Sequence, residues 1–163
     1  MPPPETILKL PDDAFRAQLR TALARIRTWV ASMGDVARIE MSEADAYWRL
    51  RAEPAAEHAC PFEIIVHADQ HFDLIAGPET YEGRPIGDVQ LLAQLVEAIG
   101  QGRVITRTLV SRNTDAVRSV ETLVALEGGA EWRGECLNEP LASAIQAEDC
   151  EAHDRHYVPY RRT

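Results

Sequence analysis

The sequence lacks the short motifs that would identify an enzyme or a nucleotide-binding protein. Its glycines between positions 77 and 87 form neither a GxGxxG pattern nor a Walker loop, so they imply no nucleotide site. Its serines lie in no nucleophile-elbow pattern. Internal repeats and low-complexity segments are also missing from the sequence. No motif therefore assigns a reaction, and the remaining functional signals are weaker ones.

Cysteine is scarce, and long apolar runs are missing. The three cysteines, Cys60, Cys136 and Cys150, form neither a CxxC motif nor an even disulfide framework, as is usual for thiols kept reduced. The first ten residues have neither the charged region nor the apolar core of a signal peptide. No stretch approaches the ~20 apolar residues of a membrane-spanning helix. We therefore expect a cytoplasmic protein with no membrane segment.

Positive charge is outnumbered by negative charge. The chain has 163 residues, with 17 Lys and Arg against 26 Asp and Glu, which gives a formal net charge of -9. This balance argues against a general nucleic-acid binder and against binding to an anionic membrane. It is compatible with a basic partner, although acidity that only keeps a protein soluble is the commoner case. The length is sufficient for one domain with a sizeable core.

The stretch from Gly102 to Leu126 predicts two long strands joined by a turn. Val, Ile and Thr dominate both arms, and residues 113–115 (Asn-Thr-Asp) have the chemistry of a turn. A three-residue loop there would place Arg112 opposite Ala116. It would also match charges, hydroxyls and apolar groups across the strands, each pair contributing about 0.2–1 kcal/mol. The predicted pairs are Arg107 with Glu121, Thr106 with Thr122, Ile105 with Leu123 and Val104 with Val124.

Apolar periodicity predicts the remaining elements. Helices are expected from Asp12 or Asp13 to about Met33, from Asp88 to about Ile99, and from Asn138 and Pro140 to about Glu151. Short strands are expected at 35–42 and 46–52, and a second hairpin at 62–77. One face of that hairpin is wholly apolar and should face the core: Phe62, Ile64, Val66, Phe72, Leu74 and Ala76.

These elements predict an α+β fold. Hairpins outnumber crossovers, so we expect a mainly antiparallel sheet of about six strands with helices packed on one face, in the order α-ββββ-α-ββ-α. Residues 1–10 are expected to form a flexible N-terminal arm, residues 11–152 a single domain, and residues 153–163 an irregular C-terminal tail.

The polar face of the second hairpin carries a candidate metal site. With a three-residue loop at 68–70, His67 and His71 lie opposite each other, about 4.5–5.5 Å apart at Cβ, and Asp73 shares their face. Two imidazoles and a carboxylate suit Zn²⁺ or another divalent ion, and they also suit a pH-sensitive pair. A two-residue loop would separate the histidines. An ordinary solvent-facing sheet surface is the commoner meaning of such residues.

Two further segments are weaker candidates. Residues 77–85 are predicted to form a loop with Gly and Pro at its ends. Tyr81 and Arg84 of this loop would contact a ligand that enters beside the sheet. Cys60 lies near His58 in the sequence, and a histidine in that position could activate a reactive thiol. A partly buried cysteine in a loop is the more common interpretation of such a residue.

Two functional hypotheses remain. The first is a non-catalytic protein-binding or adaptor protein that forms a homodimer. Its predicted order of elements is similar to that of the acidic, dimeric secretion chaperones, although it has one strand more and no sequence motif in common with them. The second is a metal-dependent enzyme or a small-ligand-binding protein that uses His67, His71 and Asp73. No cofactor is expected apart from a possible divalent metal. The expected partners are a second copy and another protein, with no nucleic acid.

Overall fold

The computed structural model describes residues 10–139 and 141–161, and in this part of the chain it contains three α-helices and nine strands in two antiparallel sheets. The α+β class and the antiparallel pairing are confirmed. The helices are α1 (Asp12–Met33), α2 (Gln90–Gly100) and α3 (Leu141–Ala144). Residues 1–9 of the predicted N-terminal arm and Pro140 of the predicted third helix lie outside the described residues.

The prediction of one six-stranded sheet is wrong, because the strands form two sheets. The first sheet follows the chain order: β1 (Ala37–Glu43), β2 (Tyr47–Pro54), β3 (Phe62–His67), β4 (His71–Ala76) and β5 (Glu79–Pro85). The second has the order β8-β7-β6-β9, with β6 (Val104–Ser111), β7 (Val117–Ala125), β8 (Glu131–Leu137) and β9 (Cys150–His156). Strands β5, β8 and β9 were not predicted from the sequence.

Helix α2 is the centre of the molecule. None of its eleven residues, all of them described, is exposed. The helix contacts α1 and β7, and its half-buried Glu97 is held by a two-pronged ion pair from Arg25 of α1, at 2.7 Å and 2.5 Å. A helix without an exposed face requires cover from several elements. Its buried apolar side chains are Leu92, Ala93, Leu95, Val96, Ala98 and Ile99. No described helix combines the length and the apolar character needed to cross a membrane.

The hairpin of β3 and β4 has the predicted register. Phe62 pairs with Ala76 and Val66 with Phe72, so the turn at residues 68–70 has three residues. The apolar face is buried in the core as predicted. Trp29 of α1 packs against Phe62 with ring centroids 5.9 Å apart, which joins this face to the first helix.

The hairpin of β6 and β7 also has the predicted pairs from Val104–Val124 to Arg107–Glu121. The register shifts beyond Leu109, and Ser111 rather than Arg112 lies opposite Ala116, with Ser111 N donating to the Ala116 carbonyl at 2.8 Å. The loop therefore has four residues instead of the predicted three. Asp115 takes a positive φ of 59° in this turn, as an Asp residue tolerates.

Residues 79–85 form strand β5, where a loop over residues 77–85 was predicted. Tyr81 is 2% exposed, and its hydroxyl lies 2.6 Å from Thr122 Oγ1 of β7. Trp132 of β8 meets the Tyr81 ring edge-on at 5.4 Å, and Gly134 leaves room for that ring. Tyr81 thus joins the two sheets in the interior. Gly83 and Pro85 are uncommon inside strands, so the sequence of this segment lacks a clear strand pattern.

The C-terminal segment is also corrected, because residues 150–156 form β9 where a helix end and an irregular tail were predicted. After β9 the C-terminal segment contacts the chain just before β3, the end of α2 and the residues after α1. The Tyr160 hydroxyl donates to the Cys60 carbonyl at 2.5 Å, and Tyr160 N donates to the carbonyl of Gly100 at the end of α2. Arg161 makes a two-pronged ion pair with Asp35, beyond α1, at 2.6 Å and 2.8 Å.

Replacing Gly134 should test the junction between the sheets. A Cβ at Gly134 would lie 2.6 Å from the buried Tyr81 ring, so Gly134→Ala should destabilise the protein by about 1–3 kcal/mol. Gly34 is a matched control, since it has a φ of -62° and no atom within 4 Å of an added Cβ. Urea unfolding should show Gly34→Ala to be neutral or slightly stabilising. Equal stability of Gly134→Ala and the unmodified protein would contradict the described junction.

Candidate functional site

The candidate metal ligands lie on the outer face of the first sheet. His67 Nε2 is 2.8 Å from Asp73 Oδ2, while Gly83 N donates to the other carboxylate oxygen at 2.8 Å. Burial acts to raise the pKa of Asp73, but the Gly83 amide and the His67 imidazole outweigh it and hold that pKa below its ordinary value. The ionised form of Asp73 is therefore favoured. Its carboxylate connects β3 and β4 with β5.

His71 is not part of that pair. Its Nδ1 lies 3.2 Å from the Asp69 carbonyl oxygen and 3.4 Å from Asp69 Oδ1, within the turn. Among the described residues, no three His, Cys, Asp or Glu side chains are grouped so as to hold a metal ion. The structure thus brings His67 and Asp73 together, and it directs His71 towards the turn instead.

Tyr81 and Arg84, the candidate ligand contacts, lie on β5. Tyr81 is a core residue, as described above, and burial raises its pKa to about 12, despite the opposing hydrogen bond with Thr122. The Arg84 guanidinium lies over the Tyr81 ring, 5.6 Å from its centroid. A cation in this position on an aromatic ring contributes about 0.5–1 kcal/mol at exposed sites. This arrangement gives both residues a structural role.

The thiols are placed for packing rather than reactivity. Burial raises the pKa of Cys60 to about 12, so the thiol is protonated at neutral pH. Its Sγ donates to the Pro61 carbonyl at 3.4 Å instead of meeting His58. The pKa of Cys136 is also raised, by burial and then by the nearby Glu79 carboxylate. A nucleophilic thiolate at Cys60 is therefore disfavoured.

A groove that the sequence analysis missed lies between the first half of α1 and the turn from β1 to β2. We call it the α1 groove; it has a volume of about 580 Å³. Residues 43–48 and 66–68 face the helix across it. Its apolar lining consists mainly of Phe15, Leu19, Leu23, Trp48 and Val66. Only tertiary packing brings the helix stripe and the strand ends together, so no local pattern predicts the groove.

The two walls of the α1 groove differ in charge, since the helix wall carries Asp12 beside two arginines and the other wall carries acidic residues. Arg16 and Arg20 lie on the helix wall, and neither forms an ion pair with any residue in 10–139 or 141–161. Glu43 and Asp45 lie on the wall formed by the β1–β2 turn. Arg27 reaches Glu43 across the walls at 3.9 Å, which offsets part of the acidic charge. Among the described residues, Arg16 and Arg20, which lie one turn apart, therefore have no ion-pair partner.

Comparison of the chain with protein-family models, with curated proteins and with solved structures found no match.

The Asp73 contacts predict a pH-dependent contribution to stability. The pKa of Asp73 is lower in the folded chain than its unfolded value near 4, so its contribution is present above about pH 4 and is lost as the pH falls through the folded-state pKa. Asp73→Asn should therefore cost about 1 kcal/mol at neutral pH and less in acid. Denaturant unfolding at several pH values measures this difference.

Asp69→Asn is the matched control, because the Asp69 side chain is 64% exposed and lies in the same hairpin. It should change stability much less than Asp73→Asn at neutral pH. A cost for Asp73→Asn that grows towards low pH would contradict the assigned contacts.

Proposed function

We propose that this protein is a non-catalytic binding protein that acts as a homodimer and holds a segment of a partner polypeptide in the α1 groove. The observation that carries the proposal is the groove itself, an open channel with an apolar lining and charged walls. It follows the first three turns of α1, about 17 Å at 1.5 Å per residue. That shape suits an extended chain segment better than a compact small molecule.

The apolar lining supplies the affinity in this proposal. Trp48 and Val66 are almost fully buried, and Leu19 is partly exposed beside them. An apolar partner side chain seated there gains about 1.5–3 kcal/mol from its own burial. Two such side chains in neighbouring positions of a peptide would give useful binding after the cost of ordering the peptide is met.

The charged walls supply the orientation and the specificity. A carboxylate on the partner would meet Arg16 and Arg20, whose mutual repulsion at positions i and i+4 it would relieve. Arginine also binds carboxylates through two parallel hydrogen bonds, which fixes the position of the partner. We therefore propose a partner segment with apolar side chains and at least one Asp or Glu.

Binding suits the groove better than catalysis by a nucleophile. The described residues that line it include no serine, threonine or cysteine. The Cys60 thiol is protonated at neutral pH and lies outside the groove. The free state of Cys60, Cys136 and Cys150 fits a reducing compartment, and we propose the cytoplasm as the location.

Selection from a library of random peptides tests the groove directly. Peptides enriched on the unmodified protein should carry apolar residues beside Asp or Glu. Their affinity, measured by fluorescence anisotropy, should fall about tenfold or more in Arg16→Glu/Arg20→Glu and in Leu19→Asp, since losing ~1.4 kcal/mol has that effect. The matched control is Arg103→Glu/Arg112→Glu, which changes the same charge at two exposed positions outside the groove.

Two results would sink this proposal. One is the absence of any peptide that binds above background. The other is a set of peptides that bind the groove variants and the unmodified protein equally well.

A second candidate function is metal-dependent chemistry at His67, His71 and Asp73. The contact between His67 and Asp73 supports it, because one imidazole and one carboxylate are already together. The site would need His71 to turn from Asp69 towards that pair. Zinc titration followed by native mass spectrometry should show one bound ion that His67→Ala and His71→Ala both remove. If zinc is not retained, or is retained equally by these variants, this candidate fails.

A further inference from the structure

We propose that β1 pairs antiparallel with β1 of a second copy, with Ile39 on the two-fold axis. This inference deepens the proposed function, since it specifies the homodimer. It rests on the free edge of the first sheet and not on the α1 groove. The partner is therefore an identical chain, and the ten strands of two copies would form one continuous sheet.

Within residues 10–139 and 141–161, two of the four outer strands have an open edge. Strands β5 and β8 lie against each other, with Cys136 Sγ 3.8 Å from the Thr80 carbonyl and the Tyr81 ring packed on Gly134. Strands β1 and β9 have no neighbouring strand on their outer side among the described residues. An open edge offers a row of unpaired backbone N–H and C=O groups to another chain.

The two open edges differ in their side chains. Every residue of β9 after Cys150 is exposed, and charged or imidazole side chains dominate it, which is the usual protection of an edge. Strand β1 instead alternates apolar residues with Arg38 and Glu40. Ala37 and Ile39 are half-buried and Met41 is 45% exposed, on the same face as the buried Leu50. This apolar row continues the core face to the sheet edge.

The sequence of β1 is complementary to itself in one register. With Ile39 on the axis, Ile39 meets Ile39, and Ala37 meets Met41 of the other copy on the core face. On the outer face, Arg38 meets Glu40 twice, by symmetry. In the single chain this arginine and glutamate pair with each other at 3.2 Å, with side chains 78% and 57% exposed, so both are accessible to a second copy.

The neighbouring registers are worse. An axis at Arg38 or at Glu40 places identical charges directly opposite each other, which is destabilising. An axis at Met41 places Ile39 opposite Glu43. If one β1 strand shifts by an odd number of residues along the other, the apolar side chains of the two copies lie on opposite faces of the joined sheet. The charges and the apolar row of β1 therefore select the Ile39 axis.

This dimer would place the two α1 grooves on the same face. The axis runs perpendicular to the sheet, so both copies present the face that carries α1. Glu43, which lines the groove, is four residues from Ile39, or about 14 Å along the strand. Two grooves about 27 Å apart could bind two segments of one partner chain, which raises the overall affinity by effective concentration.

Charge reversal with rescue tests the register. Molar mass by light scattering should rise from monomer to dimer between about 1 and about 100 µM, as expected for a small interface. Glu40→Arg should weaken dimerisation about tenfold, because it sets two arginines opposite each other on both sides of the axis. Arg38→Glu/Glu40→Arg should restore the dimer. Glu151→Arg on β9 is the control and should change nothing.

Disulfide trapping in a Cys136→Ser background tests the axis. Ile39→Cys should form a covalent dimer on oxidation, because opposite Cβ atoms lie about 4.5–5.5 Å apart, close to disulfide range. Met41→Cys alone should not, since its two copies would lie about 14 Å apart. A mixture of Ala37→Cys and Met41→Cys chains should cross-link only with each other.

A monomer at about 100 µM would overturn the inference, and so would a dimer that Glu151→Arg weakens and Glu40→Arg does not. A dimer that His153→Cys traps and Ile39→Cys does not would assign the interface to β9 instead. None of these results depends on peptide binding, so a failed dimer and a failed α1 groove are distinguished.

Discussion

Helix α2 is buried along its whole length, and the other elements of the fold are arranged so as to keep it out of water. This helix has no exposed residue, and its single charged side chain, Glu97, is neutralised by Arg25. A helix of this composition is stable only when other elements remove it from water on all sides. Helix α1 and β7 of the second sheet contact α2, and the apolar face of the first sheet belongs to the same hydrophobic core. Tyr160 of the C-terminal segment binds the carbonyl of Gly100 at the end of α2. The contact between Tyr81 and Thr122 then joins the two sheets.

The α1 groove and the free edge of β1 both lie where the elements that bury α2 end. The first half of α1 and the end of β1 extend beyond the centre, and the α1 groove forms between them. Most of its apolar lining is already buried, and Leu19 and Tyr47 remain accessible beside it. The free edge of β1 carries the same core face outwards through Ile39 and Met41. Each surface thus continues the hydrophobic core to the protein surface, as is typical of sites that bind another polypeptide.

The sequence predicts those elements whose signals are local. The apolar period of α1, and the matched pairs of the β3–β4 and β6–β7 hairpins, are confirmed because each depends on residues close in the chain. Strands β5, β8 and β9 were missed because their alternation is weak, with Gly83 and Gly134 inside two of them and few apolar residues in the third. The burial of Tyr81 and the α1 groove arise only from tertiary packing, which no short pattern contains.

Amide hydrogen exchange of β1 at two protein concentrations measures whether a second copy occupies this strand, which is the open edge of the first sheet and contributes Glu43 to the α1 groove. We expect outward-facing amides of residues 37–43 to exchange more slowly at about 100 µM than at about 1 µM, since a second copy would occupy the edge. Amides of β9 should exchange equally at both concentrations. Exchange in β1 that is independent of concentration, or protection that appears in β9 instead, would contradict the account.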